Sequence, residues 1–258
     1  MRGRASRGGV GISYLALNVD ACMSSTLIPL ATAAVLGFLH ALDVDHMLAV
    51  TAFVSRKPTL PTAIRFGFRW GLGHSLAVLA AGGVILSTGL RWGARWDRLA
   101  EGSVGLMLVG IGLWSMRSTR NLHVHLPAEH GDHAHLHTHP DGTVGHGHHR
   151  HPKPPSSPHA HAAKGMTLVG MLHGLAGTTA AVALLPVTLL DQASLGFAYL
   201  IVFGIGVTGS MTLFAAVAAT AIGRASANSV ETGRRVSRMV GAAGMIVGLW
   251  WLWKAVAP

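Results

Sequence analysis

LIPLATAAVLGFLHALDVDHMLAVTAFV, residues 27–54, is the stretch whose reading decides the fold. Its length and apolarity suit a membrane-crossing helix, which needs about 20 mainly apolar residues. Yet HALDVDH (40–46) puts two imidazoles and two carboxylates in its middle. A charged side chain at a bilayer centre costs at least about 2.5–3.5 kcal/mol on insertion scales. Such a cluster is tolerated only where something binds it.

The rest of the chain agrees with a membrane setting. Of 258 residues, 50% are hydrophobic and only 12% charged, and the mean hydropathy is +0.44. Soluble domains carry about 25% charged residues. Apolar runs of membrane-spanning length recur near 27–54, 64–90, 99–117, 165–190, 193–222 and 236–256, which predicts an all-α membrane protein of about six transmembrane helices. The net charge of +10 does not point to nucleic acid, because the basic residues cluster between apolar runs. A single cysteine, Cys22, rules out a disulfide framework within one chain and a multi-thiolate metal centre. No cleaved signal peptide is expected, since the first strong apolar run is too long for one and carries the polar motif.

Four segments follow. Residues 1–26 form a polar lead-in, 27–117 a first set of three helices with the motif, 118–164 a polar insert, and 165–258 a second set of three. The insert contains thirteen of the seventeen histidines among Pro, Gly and Ser. Such composition cannot bury a core and predicts disorder. Its paired histidines, above all His133, His135, His137, His139, His146, His148, His149 and His151, suit weak multivalent capture of metal ions. Thirteen Lys and Arg fall on the side of this loop and seven on the other, which predicts a cytoplasmic loop in a multi-pass protein of the cytoplasmic membrane.

The two helical sets resemble each other. GFLHALD (37–43) matches GMLHGLA (170–176), GLGHSLAVLAA (71–81) matches GVTGSMTLFAA (206–216), and GSVGLMLVGIGLW (102–114) matches GAAGMIVGLWWLW (241–253). Three helices followed by three place the second set in the opposite orientation. That is the inverted-repeat plan of many secondary transporters, whose sites lie at the repeat interface near midplane.

All four histidines outside the insert, His40, His46, His74 and His173, fall inside expected spans. At about 1.5 Å per residue, His46, His74 and His173 lie roughly 12–15 Å from the loop-side face, and His40 roughly 21 Å. Half of a hydrocarbon core is about 15 Å. Three helices thus bring imidazoles to one layer. On a regular helix, His40, Asp43 and His46 form a stripe centred on Asp43, and His40 shares a face with Met47. Asp45 points elsewhere and can orient an imidazole by accepting its N–H. Imidazole with carboxylate suits a divalent first-row metal, and the lack of thiolate disfavours Cu(I). The candidate ligands are His40, Asp43, Asp45, His46, His74 and His173, with Ser75 and Met47 around them.

With these residues, HALDVDHM (40–47) resembles the signature of the nickel/cobalt transporter family, a His, four residues, then Asp-His. GLGHSLAV (71–78) resembles the family's second motif, Leu-Gly-His-Ser. The resemblance implies selective transport of Ni²⁺ or Co²⁺ across the cytoplasmic membrane, with His40, Asp43, Asp45, His46, His74 and Ser75 as selectivity residues. Val44 and Met47 depart from the usual pattern, and MLHGLAGTTAA (171–181) stands where the family has a later acidic motif. Six helices and a His-rich loop look more like the efflux branch, or the smaller urease- and hydrogenase-associated permeases. The expected cargo is Ni²⁺ or Co²⁺, with no permanently bound cofactor, and the expected partners are the metal ion and the lipid bilayer, with no nucleic acid. Two other readings stay open: a membrane metal sensor or scaffold without flux, and a His-liganded membrane metalloenzyme.

Overall fold

The structure, a computed structural model, describes residues 25–56, 58–90, 93–118, 122–125, 135–138, 158–175, 183–190, 192–228 and 230–257. In chain order they form α1 (Ser25–His40), α2 (Val44–Val54), α3 (Leu60–Thr88), α4 (Ala94–Ser118), β1 (Leu122–His125) and β2 (His135–Thr138). There follow α5 (Pro158–Gly174), α6 (Leu185–Thr188), α7 (Ala193–Asn228) and α8 (Val230–Val256). Among the described residues, four helices, α3, α4, α7 and α8, are long and apolar enough to cross a membrane, and α1 with α2 forms a bent pair that is apolar enough when taken together.

The architecture departs from the expected six spans in two places, both at Gly or polar clusters. The run 27–54 is not one helix. It breaks at Ala41–Asp43 and bends by 55°. Leu42 and Asp43 donate backbone bonds to Leu39 and His40, three residues back, so the α ladder tightens and stops there. Asp43 has extended backbone, φ −60° and ψ 148°, and starts α2. The run 165–190 is likewise not one helix: α5 ends at Gly174, and only the short α6 is described before residue 190. Helix α5 also begins at Pro158, inside the segment expected to be disordered. Within that segment β1 and β2 pair antiparallel, with His123 opposite His137 and His125 opposite His135.

Local signals set the other ends. Helix α3 starts with Pro61 in its first turn, where a missing N–H costs nothing. It ends at Gly89, whose φ of +68° is the left-handed cap that glycine adopts freely.

Small residues decide how the helices meet. The backbones of α1 and α7 touch at Gly37 and Phe203, and those of α5 and α3 at Gly170 and Trp70. A Cβ on Gly37 would meet the Phe203 carbonyl oxygen, with its carbon at 3.0 Å and Cα at 3.1 Å; one on Gly170 would meet the Trp70 carbonyl oxygen, carbon at 3.0 Å and Cα at 3.1 Å. Antiparallel α4 and α8 meet at Gly105 with Gly248 and at Gly112 with Gly241. Lipid offers no hydrophobic drive between helices, so such close approach supplies the packing energy.

Around a mainly apolar core, burial has two features unusual in a soluble domain. Ile205, Leu106, Ile246 and Trp253 are exposed on the outer surface, whereas His40, His46, His74 and His173 are buried. Apolar side chains outside and polar ones inside are what a bilayer solvent selects.

Candidate metal centre

Each imidazole reaches the centre from a different helix or helix end. His40 is the last residue of α1, His46 lies in the first turn of α2, and His173 in the last turn of α5. His74 stands midway along α3, fourteen residues from Leu60 and fourteen from Thr88. The break at 41–43 is what brings His40 and His46 together, with ring centroids 4.9 Å apart. His74 lies 5.3 Å from His40 and 5.2 Å from His46, and His173 lies 4.1 Å from His46.

Asp45 bridges the set. Its Oδ1 accepts from the His46 backbone N–H at 3.0 Å and faces His46 Nδ1 at 3.1 Å; its Oδ2 faces His173 Nε2 at 3.0 Å. A carboxylate only accepts, so the facing ring nitrogens carry their protons there. The opposite nitrogens, His46 Nε2 and His173 Nδ1, then present lone pairs. Neither has a hydrogen-bond partner among the described residues, nor has either nitrogen of His74. Buried polar atoms are rarely left so. Ligand atoms of His40, His46 and His74 all lie within 4.8 Å of one another, as do those of Asp45, His46 and His173. Helix ends add to the field: the α1 C-terminus brings partial negative charge near His40, and the α2 N-terminus partial positive charge near Asp45.

The break changes the placement of the two aspartates. A regular helix would centre the stripe on Asp43. Instead Asp43 sits at the rim, its side chain 42% exposed, with Oδ2 3.1 Å from His40 Nδ1. Asp45, turned inward by the new helix start, is the buried one. Ser75 does not contact His74's ring nitrogens. Its hydroxyl lies 2.7 Å from the Gly71 carbonyl, 2.9 Å from that of Gly204 and 3.1 Å from Thr208 Oγ1, fastening α3 to α7. Met47 is half-buried on α2 and takes part through its backbone, bonding Asp43 and Thr51. Of the insert histidines, His135 and His137 lie in β2; His133, His139, His146, His148, His149 and His151 fall outside the described residues.

Two aromatic residues escaped the sequence reading. Trp70 packs 5.7 Å from His173, and Phe203 5.8 Å from His40, both fully buried. The spacing of Trp70 four residues before His74 was a usable sign, since such residues share a helix face.

A buried His/Asp cluster enclosed by long apolar helices is an arrangement that can hold a divalent cation inside a membrane protein. The chain is 29% identical over 180 residues to the urease accessory protein UreH of Bacillus sp. (strain TB-90), a match spanning 70% of this chain and 71% of that protein. This similarity supports the resemblance of the motifs at 40–47 and 71–78 to those of the nickel/cobalt transporter family. No family profile matches it, and no solved structure does.

Proposed function

We propose that the protein is a secondary transporter that carries Ni²⁺ or Co²⁺ across the cytoplasmic membrane through a His/Asp site near the bilayer midplane. One observation carries this reading: three buried imidazoles from α2, α3 and α5 hold ring nitrogens that have no partner among the described residues, beside His40 and an Asp45 that fixes two of the rings. Neutral imidazole is the common ligand for divalent first-row metals, and a partner on the second ring nitrogen sets which nitrogen binds. His40, His46, His74 and His173 bind the ion, with Asp45 orienting them and adding charge. Asp43 holds His40 in place. The similarity to a urease accessory protein supports the urease-associated branch, and with it Ni²⁺ as cargo.

The 3+3 inverted repeat is part of the proposal. The matching environments of Gly37 and Gly170 support it, and so do those of Gly206 and Gly73. Gly206 faces the Ala34 carbonyl and Phe38 nitrogen, and Gly73 faces those of Thr167 and Met171. Each pair differs by 133 positions (170 − 37, 206 − 73, 167 − 34), as do His40 and His173. Gly105 with Gly241 and Gly112 with Gly248 differ by 136. These contacts favour matching GLGHS (71–75) with GIGVT (204–208), two residues from the register that side-chain similarity suggests. The break between α1 and α2 fits the discontinuous spans such transporters use. The basic-residue bias puts the insert in the cytoplasm.

The test is flux of Ni²⁺ and Co²⁺ into vesicles reconstituted with the protein. His46→Ala abolishes flux while the protein still inserts. Parent-level flux from that variant, or metal binding without flux in the parent, overturns the transporter reading.

A further inference from the structure

The buried rings form a column. From one end it runs Phe203, His40, His46, His173, Trp70, with successive centroids 5.8, 4.9, 4.1 and 5.7 Å apart. Its ends face opposite sides of the protein. Trp70 lies ten residues into α3 from Leu60, the end joined to α2 by residues 55–59. Phe203 lies ten residues into α7 from Ala193, and α7 runs antiparallel to α3, with Gly204 against Ser75 and Gly82 against Leu200. The Ala193 end of α7 therefore sits with the Thr88 end of α3. Each aromatic ring stands between its histidine and a different face.

The seals are complete and separately mounted. Both rings are 0% exposed, so no hydrated ion passes either in this conformation. The backbone of Phe203 rests on Gly37, at the α1–α7 contact, and that of Trp70 on Gly170, at the α5–α3 contact. Each ring is thus anchored at a different helix pair, and Trp70 also packs against Phe53 and Phe66, 6.0 and 5.2 Å away. Trp70 Nε1 is buried with no hydrogen-bond partner among the described residues, so turning the indole toward water satisfies a donor that those residues leave bare.

We propose that Phe203 and Trp70 are the two gates of the pathway, Phe203 admitting the divalent cation to His40 from one side of the membrane and Trp70 admitting it to His173 from the other, with His46 shared between the two half-sites. The proposal rests on the transporter reading above. It describes an occluded state in which the cation moves from the His40, His46, His74 group to the Asp45, His46, His173 group without meeting solvent.

Sided labelling of the full chain tests it. In a Cys22→Ser background, His40→Cys and His173→Cys are the reporters, and a membrane-impermeant methanethiosulfonate is the probe, applied to either face of sealed vesicles. Thr59→Cys and Gln192→Cys, both at exposed positions, mark the two faces. Phe203→Ala speeds labelling of His40→Cys by roughly tenfold or more from the Gln192 face alone. Trp70→Ala does the same for His173→Cys from the Thr59 face alone. Acceleration from the wrong face, from both faces, or none at all overturns the gates. Phe203→Leu and Trp70→Phe keep the seals and leave labelling slow; acceleration by these variants as well marks a loosened fold and also overturns the proposal. The labelling needs no metal, so correct sidedness without Ni²⁺ or Co²⁺ flux counts against the transporter reading and not against the gates.

Discussion

Asp45 and Asp43 are two residues apart and do different work. Asp45 is buried and satisfies one backbone N–H and two imidazoles; Asp43 is half exposed, with its carboxylate 3.1 Å from His40 Nδ1. Removing the Asp45 charge leaves two buried ring N–H groups competing for one amide oxygen, and a lost partner for a buried polar group costs about 1–3 kcal/mol. Asp45→Asn therefore lowers metal flux by about 10–100-fold, the usual consequence of losing a ligand's orienting partner. Asp43→Asn leaves flux much nearer the parent value. Vesicle flux at subsaturating Ni²⁺ checks the pair, and a greater loss from Asp43→Asn would refute the assignment of roles. The residue types of this centre were legible in the sequence, because carboxylates and imidazoles in an apolar run have few uses. Their individual roles were not, because they depend on which way the chain turns at Ala41–Asp43.

At the scale of elements, the small residues set how closely helices approach. A methyl group on Gly37 or Gly170 runs into a neighbouring backbone carbonyl, which cannot swing aside as a side-chain end can. Overpacking of this kind costs about 1–3 kcal/mol. Gly37→Ala and Gly170→Ala should lower the midpoint of thermal unfolding in detergent by similar amounts. Gly110, with nothing within 4 Å of an added Cβ, is the control. Gly110→Ala leaves the midpoint unchanged or raises it, since alanine is favoured in a helix by about 0.5–1 kcal/mol. Unequal losses at positions 37 and 170 would count against the equivalence of the two contacts. Most of the long helices followed from apolar runs, while Pro61 and Gly89 set the ends of α3 locally. The break between α1 and α2 did not, because apolar content alone does not separate a straight helix from one interrupted where a site needs backbone ends.

For the whole molecule, capture and translocation are separable. The insert histidines belong to a polar segment outside the spans, and the ring column lies within the helices. Deleting residues 121–156, which spares α5, should leave maximal Ni²⁺ flux intact and reduce flux only at low metal concentration, as expected when a multivalent tether raises the local ion concentration. A fall in maximal flux at saturating metal would show that the insert takes part in translocation.

By itself the sequence determined the solvent, the number of long apolar runs and the chemical class of the centre. Hydropathy and intramembrane histidines are local properties, and the bilayer constrains them position by position. It also carried the trace of internal repetition, because GFLHALD and GMLHGLA share a glycine and a histidine at the same spacing. Only the tertiary structure decided that Asp45 rather than Asp43 is the inner carboxylate, that Ser75 fastens helices, and that Trp70 and Phe203 cap the histidines. Each of these depends on a bend of 55° and on contacts between residues more than a hundred positions apart. Helical periodicity holds only while the helix is unbroken, and here it breaks at the site itself.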